Sequence, residues 1–340
     1  MTIGFYNPYF DGFGGGERYT LTLASHWSKL HEVHLFWDDE SILSESSRRF
    51  DLDLSRAKVV QNIFRGKKLF KKLFLTRKYD VIFFLTDGSI PTSFARHNIL
   101  HVQIPFRRFP HASWKLARYS AIIANSLFTK RNMDPKVGKR AEVIYPPIST
   151  SRFSPKEKEK LILSVGRFHE LKKQNVLIEA FNKMGESDWR LVLAGGLLPA
   201  DRDYFACLKD KPTKNIELLP DIPFKELQNL YGRAMIFWNA AGFGETDPTR
   251  MEHFGITTVE AMAAGCVPIV FNGGGQPEIV EEDKTGFLWN TPDELIKKTK
   301  KILQAKTIES IVSSARKKAL VFDTSVFEEK YDHLLERFTR

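Results

Sequence analysis

Cysteine is nearly absent from this chain, with two in 340 residues, Cys207 and Cys266. Two isolated thiols make neither a disulfide framework nor a cysteine-based metal cluster, which excludes a small stapled secreted domain and a zinc finger. No uninterrupted apolar run reaches the roughly 20 residues that a membrane-crossing helix needs. The opening Met1-Thr2-Ile3-Gly4-Phe5 runs straight into a strand pattern without a charged and then apolar leader, so no signal peptide is expected, and cytoplasm is the expected compartment. Internal repeats and low-complexity tracts are lacking as well. Acidic residues are the scarcer charge, 41 against 51 basic, for a net charge of +10. That balance leaves nucleic acid, anionic lipid and a phosphorylated substrate open as partners, beside a merely solvated basic surface.

What is present is globular. With 42% hydrophobic and 27% charged residues the chain is folded rather than disordered, and its length suits two domains of ordinary size. Short apolar runs alternate with helical periodicity twice over. The first series begins with a strand at 2–6, a glycine-rich loop at 7–16 (NPYFDGFGGG), a helix over about 17–30 and a strand at 33–37. Strands at 81–85, 98–102 and 122–124 continue it. A polar linker at 148–159 separates this series from a second, with strands at 161–165, 191–194, 235–238 and 267–271 and helices at 175–181 and 256–264. Thr291-Pro292-Asp293-Glu294 is a capping box that opens a helix to about Gln304, and a last helix spans 325–338. The pattern predicts two doubly wound α/β domains, over 1–150 and 151–320, with 321–340 a terminal helix packing toward the first.

The most informative stretch is 239–286. Two strand–glycine loop–helix units follow one another there, the first ending at Phe254-Gly255 and the second passing through Gly273-Gly274-Gly275 to Pro277. Helix N-termini with unpaired N–H groups form anion sites, usually for phosphate. Glu252 and Glu260 flank the first loop with seven residues between them. Carboxylates are poor partners for phosphate but accept hydrogen bonds from sugar hydroxyls, so phosphate and carboxylate together indicate a nucleotide sugar. Arg167, after the strand at 161–165, and Lys172-Lys173 add a fork and point charges suited to a diphosphate.

The string EHFGITTVEAMAAG, followed by GGGQPE at 273–278 and Thr285-Gly286-Phe287, resembles the E-x7-E signature of retaining glycosyltransferases of family four. The resemblance implies the GT-B architecture, two Rossmann-like domains facing a cleft that closes over the substrates. It implies transfer of a hexose from a nucleotide diphosphate sugar to a glycan or lipid-linked acceptor, with no cofactor and no metal. Glu252 would hold the donor sugar and Glu260 the ribose. Arg167 and Lys172, with Lys173 as the fallback, would hold the diphosphate together with the backbone of Phe254, Gly255, Ile256 and Thr257. NPYFDGFGGGER is similar to the opening of mannosyltransferases, which points to GDP-mannose, with UDP-glucose and UDP-GlcNAc as other donors. Gly15 and Gly16 would lie close to donor or acceptor. Mannose-transferring relatives carry a histidine where this chain has Gln103. His101, two residues earlier and on the same strand face, competes for that role.

Other signals compete with these. Gly12 and Gly14 fit two positions of a dinucleotide fingerprint, but the third falls on Glu17. Asp51-Leu52-Asp53 and Asp201-Arg202-Asp203 spell D-x-D, a metal signature of another glycosyltransferase fold, without its surroundings. Segment 64–79 (FRGKKLFKKLFLTRKY) predicts a basic amphipathic helix that either packs on the sheet, lies on an anionic membrane, or does both. His97 and His111 are expected in surface loops. Nucleic acid is not an expected partner. An epimerase, a phosphorylase or a non-catalytic nucleotide-sugar- or membrane-binding module are the competing readings.

Overall fold

The computed structural model of the protein describes residues 1–12, 14–65, 69–109, 112–210 and 215–339. Lys67, Lys68 and His111 lie outside them. In chain order the elements are β1 (Thr2–Tyr6), α1 (Gly15–Ser28), β2 (Glu32–Phe36), α2 (Ser41–Phe50), β3 (Ala57–Val60), α3 (Leu69–Thr76), β4 (Val81–Leu85), β5 (His97–Val102), α4 (Ala112–Lys115), β6 (Ala121–Ala124), α5 (Leu127–Asn132), α6 (Pro135–Gly138) and β7 (Ala141–Val143). There follow β8 (Glu159–Val165), α7 (Gln174–Met184), β9 (Arg190–Gly195), α8 (Arg202–Lys209), β10 (Ile216–Pro220), α9 (Phe224–Arg233), β11 (Ala234–Asn239), α10 (Ile256–Ala263), β12 (Val267–Phe271), α11 (Gln276–Ile279), β13 (Phe287–Trp289), α12 (Pro292–Leu303), α13 (Glu309–Ala319) and α14 (Thr324–Thr339).

Two compact units form. Unit 1 comprises Met1–Pro147 with Thr324–Arg340, and unit 2 is Ile148–Asp323. Unit 1 carries a seven-stranded sheet in the order β3-β2-β1-β4-β5-β6-β7, and unit 2 a six-stranded one, β10-β9-β8-β11-β12-β13. Every pairing in both is parallel, as in Ile3 opposite Val33 and Val81, or Ile236 opposite Ile162 and Val267. Parallel strands are covered on both faces, so the central ones read as unbroken apolar runs; VIFFL in β4 is wholly buried.

In unit 1 the two faces have distinct layers. Helices α1, α2 and α14 pack on the side where Phe5, Phe83 and Ile99 point, and α14 buries Phe327, Tyr331 and Leu334 there. The other side, with Ile82, Phe84 and Leu100, is covered by Ile90, Phe109, Leu116 and Tyr119. The expected helix over 64–79 is shorter, Leu69–Thr76. Its predicted start is a turn instead, because the Asn62 carboxamide accepts the N–H groups of Phe64 (3.0 Å) and Arg65 (3.3 Å). The Phe64 ring then packs against Tyr6, Phe36 and Phe84.

In each sheet the strand order reverses once, between β1 and β4 and between β8 and β11. The carboxyl ends of strands at such a reversal leave a crevice, because the connections depart to opposite faces. The loops after β1 and β5 meet at that edge of unit 1, and those after β8, β11 and β12 at that edge of unit 2.

Candidate active site

In unit 2 the sequence-predicted donor residues converge at the carboxyl edge. Arg167 leaves β8 half exposed, its Nε 3.5 Å from Asp201 Oδ2, while its carbonyl accepts from the Gln174 carboxamide at 2.9 Å. The chain then makes one 3₁₀ turn, and Lys173 enters α7 from a left-handed backbone conformation (φ 53°). That reversal presents two successive lysines to the loop after β11. Lys172 Nζ donates to Glu252 Oε2 at 2.6 Å, and Lys173 Nζ to Glu245 Oε1 at 2.7 Å. Arg250 clamps the other Glu245 oxygen at 2.7 Å and reaches Glu170 at 3.2 Å. The Arg250 bond and, after it, the Lys173 bond draw the Glu245 carboxyl down to about 2.

Glu252 and the helix behind it are fixed by the second glycine loop. Gly275 N–H donates to the Glu252 carbonyl at 2.8 Å. Gly274 has φ +62°, and a β-carbon there would lie 2.1 Å from the same carbonyl oxygen. These glycines thus let the two loops touch. Thr258 Oγ1 donates to Gln276 Oε1 at 2.9 Å, and Gln276 Nε2 is buried with no partner among the described residues. The expected pair of helix N-termini reduces to one. Helix α11 is a single turn, too short to carry a useful dipole, whereas α10 begins at Ile256 directly after Gly255 and leaves the amides of Ile256 and Thr257 without helical acceptors.

Glu260 lies on the second turn of α10, buried, with Oε2 accepting from Tyr231 Oη at 3.0 Å. Phe254 contributes backbone only, since its ring is buried against Phe322 with centroids 5.3 Å apart. Sequence reasoning missed the groups that set up Arg167. Asp201 is buried beside it, and His169 Nε2 stands 3.8 Å from the other Asp201 oxygen. Leu171 N–H donates to His169 Nδ1 at 3.1 Å, so the proton resides on Nε2, facing Asp201. The D-x-D at 201–203 held the clue. It is split, Asp201 turning in toward Arg167 and Asp203 out to solvent. Among the described residues no group of three or more His, Cys, Asp or Glu side chains is placed to hold a metal.

The edge of unit 1 carries Gly15, Gly16 and Gln103. The Gln103 carboxamide lies against Gly16, with Oε1 2.3 Å from where a β-carbon would be. Glu17, the misfit of the dinucleotide fingerprint, is buried and folds back on the loop. Its Oε2 accepts from Gly14 N–H at 2.7 Å and its Oε1 from Asn7 Nδ2 at 3.2 Å, the reach of an N3 glutamate to a helix N-cap. Burial raises the Glu17 carboxyl above its ordinary range, against those two bonds.

His101 does not share this edge. It is fully buried, stacked at 3.9 Å on Tyr19 and at 5.7 Å on Phe83. Burial depresses the imidazole to about 3, so it stays neutral. The histidine expected to compete with Gln103 is therefore a core residue, because Tyr19 of α1 roofs the strand position it occupies. His97, expected in a loop, begins β5, with Nδ1 3.0 Å from Ser120 Oγ.

Known proteins resemble this chain in sequence and in fold. Residues 149–318 match the family model described as glycosyl transferases group 1, and residues 13–152 that of glycosyltransferase family 4. Human GDP-Man:Man(3)GlcNAc(2)-PP-Dol alpha-1,2-mannosyltransferase is 32% identical over 213 residues, 54% of this chain and 39% of that protein. Mouse alpha-1,3/1,6-mannosyltransferase ALG2 is 25% identical over 201 residues, 49% of this chain and 46% of that one. The chain thus matches less than half the length of these relatives. Among solved structures, a glycosyltransferase from Rickettsia africae superposes with a TM-score of 0.79 at 19% identity, covering 100% of this chain and 98% of that one. Anabaena HepE in complex with UDP gives 0.75 at 18% identity, over 99% and 100%. At these identities the likeness is one of fold.

Proposed function

Since the chain belongs to the glycosyl transferases group 1 family and has the GT-B fold, we propose that it transfers mannose from GDP-mannose, with retention at the anomeric carbon, to a glycan or lipid-linked acceptor. The observation that carries this reading is the meeting of Lys172, Glu252 and the start of α10 at one strand edge, with Arg167 beside them. In the reaction the bond from the anomeric carbon to the diphosphate oxygen breaks as the bond to the acceptor oxygen forms. The acceptor's proton leaves with the diphosphate. Negative charge grows on that leaving group, and preorganised donors are most effective where charge develops. Arg167, Lys172 and the Ile256 and Thr257 amides supply them, so in this reading the diphosphate is neutralised without a metal. Glu252 holds sugar hydroxyls and Glu260 the ribose. Gly15, Gly16 and Gln103, at the carboxyl edge of the unit 1 sheet, are the residues of that unit assigned to the acceptor. Mannose and the dolichol-linked acceptor class are suggested by the curated relatives' names.

No described helix is long and apolar enough to cross a membrane. We place the enzyme at the cytoplasmic face of an anionic membrane, held peripherally, where a lipid-linked acceptor is presented. The test is a panel of radiolabelled GDP- and UDP-sugars, scored by donor hydrolysis and by transfer, with product anomers assigned by NMR. Turnover of GDP-mannose alone, with α-linked product, supports the reading. Turnover of UDP-sugars only overturns the donor, and β-linked product overturns retention.

A further inference from the structure

The net charge of +10 is not spread over the chain. Residues 54–133 contain 16 Lys and Arg against two acids, Asp80 and Asp87, a local net charge of +14, so the remainder is at −4. In the fold this stretch supplies β4, β5 and β6 together with the layer over one face of the unit 1 sheet, formed by α3, the 88–96 loop and residues 104–109 and 112–119. The opposite layer includes α14, which carries Glu328, Glu329, Asp332 and Glu336 against Lys330 and Arg337, and outside 54–133 unit 1 has 15 acids against 10 Lys and Arg. Unit 1 is therefore electrically two-sided.

The basic side also exposes aromatic rings. Phe74 on α3 is 75% exposed, Trp114 59% and Phe94 44%. They come from three segments that are stitched together. Phe94 N–H donates to Thr76 Oγ1 at the end of α3 (2.9 Å). Tyr119 Oη donates to the Pro91 carbonyl (2.7 Å). The Arg118 guanidinium reaches the Ala95 carbonyl and lies 5.5 Å from the Phe94 ring. Lys115 Nζ stands 5.7 Å from the Trp114 ring. Large aromatics left in water amid cations form an unusual surface for a soluble partner, but one that suits the bilayer interface. There rings settle at headgroup level while Lys and Arg meet anionic lipid.

We propose that this layer is a membrane-docking face for anionic phospholipid, with Phe74, Phe94 and Trp114 as its inserting residues. The inference rests on the peripheral-membrane reading above and assigns it to particular side chains. The layer flanks the sheet, extending from Arg65 and Arg107 near the carboxyl ends of the strands to Arg77, Arg96 and Arg118 near their amino ends. Attachment by the flank leaves the edge bearing Gly15, Gly16 and Gln103 uncovered, beside the lipid surface.

The experiment is co-sedimentation of the full chain with phosphatidylglycerol/phosphatidylcholine vesicles and with phosphatidylcholine vesicles alone. Wild type should pellet with the anionic vesicles, release on raising salt as screening shortens, and show tryptophan quenching by brominated lipid. Phe74→Ser/Phe94→Ser/Trp114→Ser should lose roughly tenfold or more in partitioning while keeping its melting temperature and nucleoside diphosphate binding. Trp114→Phe should still pellet but lose most of the quenching. A triple variant that pellets like wild type overturns this face while leaving membrane association standing. Wild type that ignores anionic vesicles overturns both, and calorimetry with GDP then judges the transferase reading independently.

Discussion

Lys172 Nζ donates to Glu252 Oε2 at 2.6 Å, so a diphosphate that binds Lys172 has to take the ammonium from the carboxylate. Glu252→Gln should therefore bind free nucleoside diphosphate more tightly than wild type, although it transfers sugar poorly. A phosphate oxygen placed on Lys172 would come to lie roughly 5 Å from the carboxylate. Two unit charges at that separation repel by about 0.8 kcal/mol in water and about 3 kcal/mol near a protein surface. Lys172 is 33% exposed and Glu252 18%, so solvent still reaches the pair and the repulsion falls between these limits, on the order of 1 kcal/mol. A gain of about 1 kcal/mol corresponds to roughly fivefold tighter binding. Calorimetry with GDP and UDP, neither of which carries a sugar for Glu252 to hold, measures it. In a Lys172→Met background the gain should shrink, because no ammonium draws the phosphate to within about 5 Å of the side chain at 252. Unchanged or weaker diphosphate binding by a folded Glu252→Gln variant would refute the competition and with it Lys172's placement at the phosphate.

Arg167→Ala should weaken nucleoside diphosphate binding by about 1.5–3 kcal/mol, the range for a charged hydrogen bond, and leave binding of the bare nucleoside alone; calorimetry with both ligands checks this. Glu260→Gln should raise the donor KM more than it lowers kcat, the mark of a uniform binder, and Tyr231→Phe should follow it more weakly because that hydroxyl holds the Glu260 carboxylate. Gly274→Ala forces a β-carbon onto the Glu252 carbonyl at positive φ and should cost about 2 kcal/mol or more, read as a melting point about 4–8 °C lower. His26 on α1 has Nδ1 3.3 Å from Glu328 and Nε2 2.8 Å from Asp332 on α14, and the Glu328 bond foremost raises its pKa. A raised pKa stabilises below the unfolded value, about 6.5, and is lost as pH climbs through the folded one. The melting point of wild type relative to His26→Gln should therefore be higher at pH 6 than at pH 8.5.

The sequence was most legible where burial is complete and least where it is partial. Central strands such as β4 and β12 announce themselves as apolar runs, and the β12 bounds agree with the expectation residue for residue. Strands β3 and β10 lie at the sheet edges, half exposed, and IELLP or AKVV carry no such run. At the site, Glu252, Glu260, Arg167 and Lys172 were readable because their types and order are distinctive. The pairing of Lys172 with Glu252 was not, since 80 residues separate them. Alternation put His101 and Gln103 on one strand face, but nothing local reveals that Tyr19 lies over the first and Gly16 over the second. Glu17 misled for the opposite reason. Spacing marked it as a failed fingerprint glycine, whereas its carboxylate is what holds the loop.

The return of α14 to unit 1 has a consequence for how the chain is made. Unit 2 is one contiguous segment, Ile148–Asp323, whereas unit 1 is written in two pieces. During synthesis the sheet of unit 1 emerges first, yet it lacks the roof that Phe327, Tyr331, Leu334, Leu335 and Phe338 provide until residues 324–339 have left the ribosome. Domains generally fold as units as they emerge. Here the order inverts, and the second half reaches its finished core while the first still waits with Phe5, Phe83 and Trp27 incompletely covered. A chain truncated after Asp323 should thus display a protease-resistant second half joined to a protease-sensitive first.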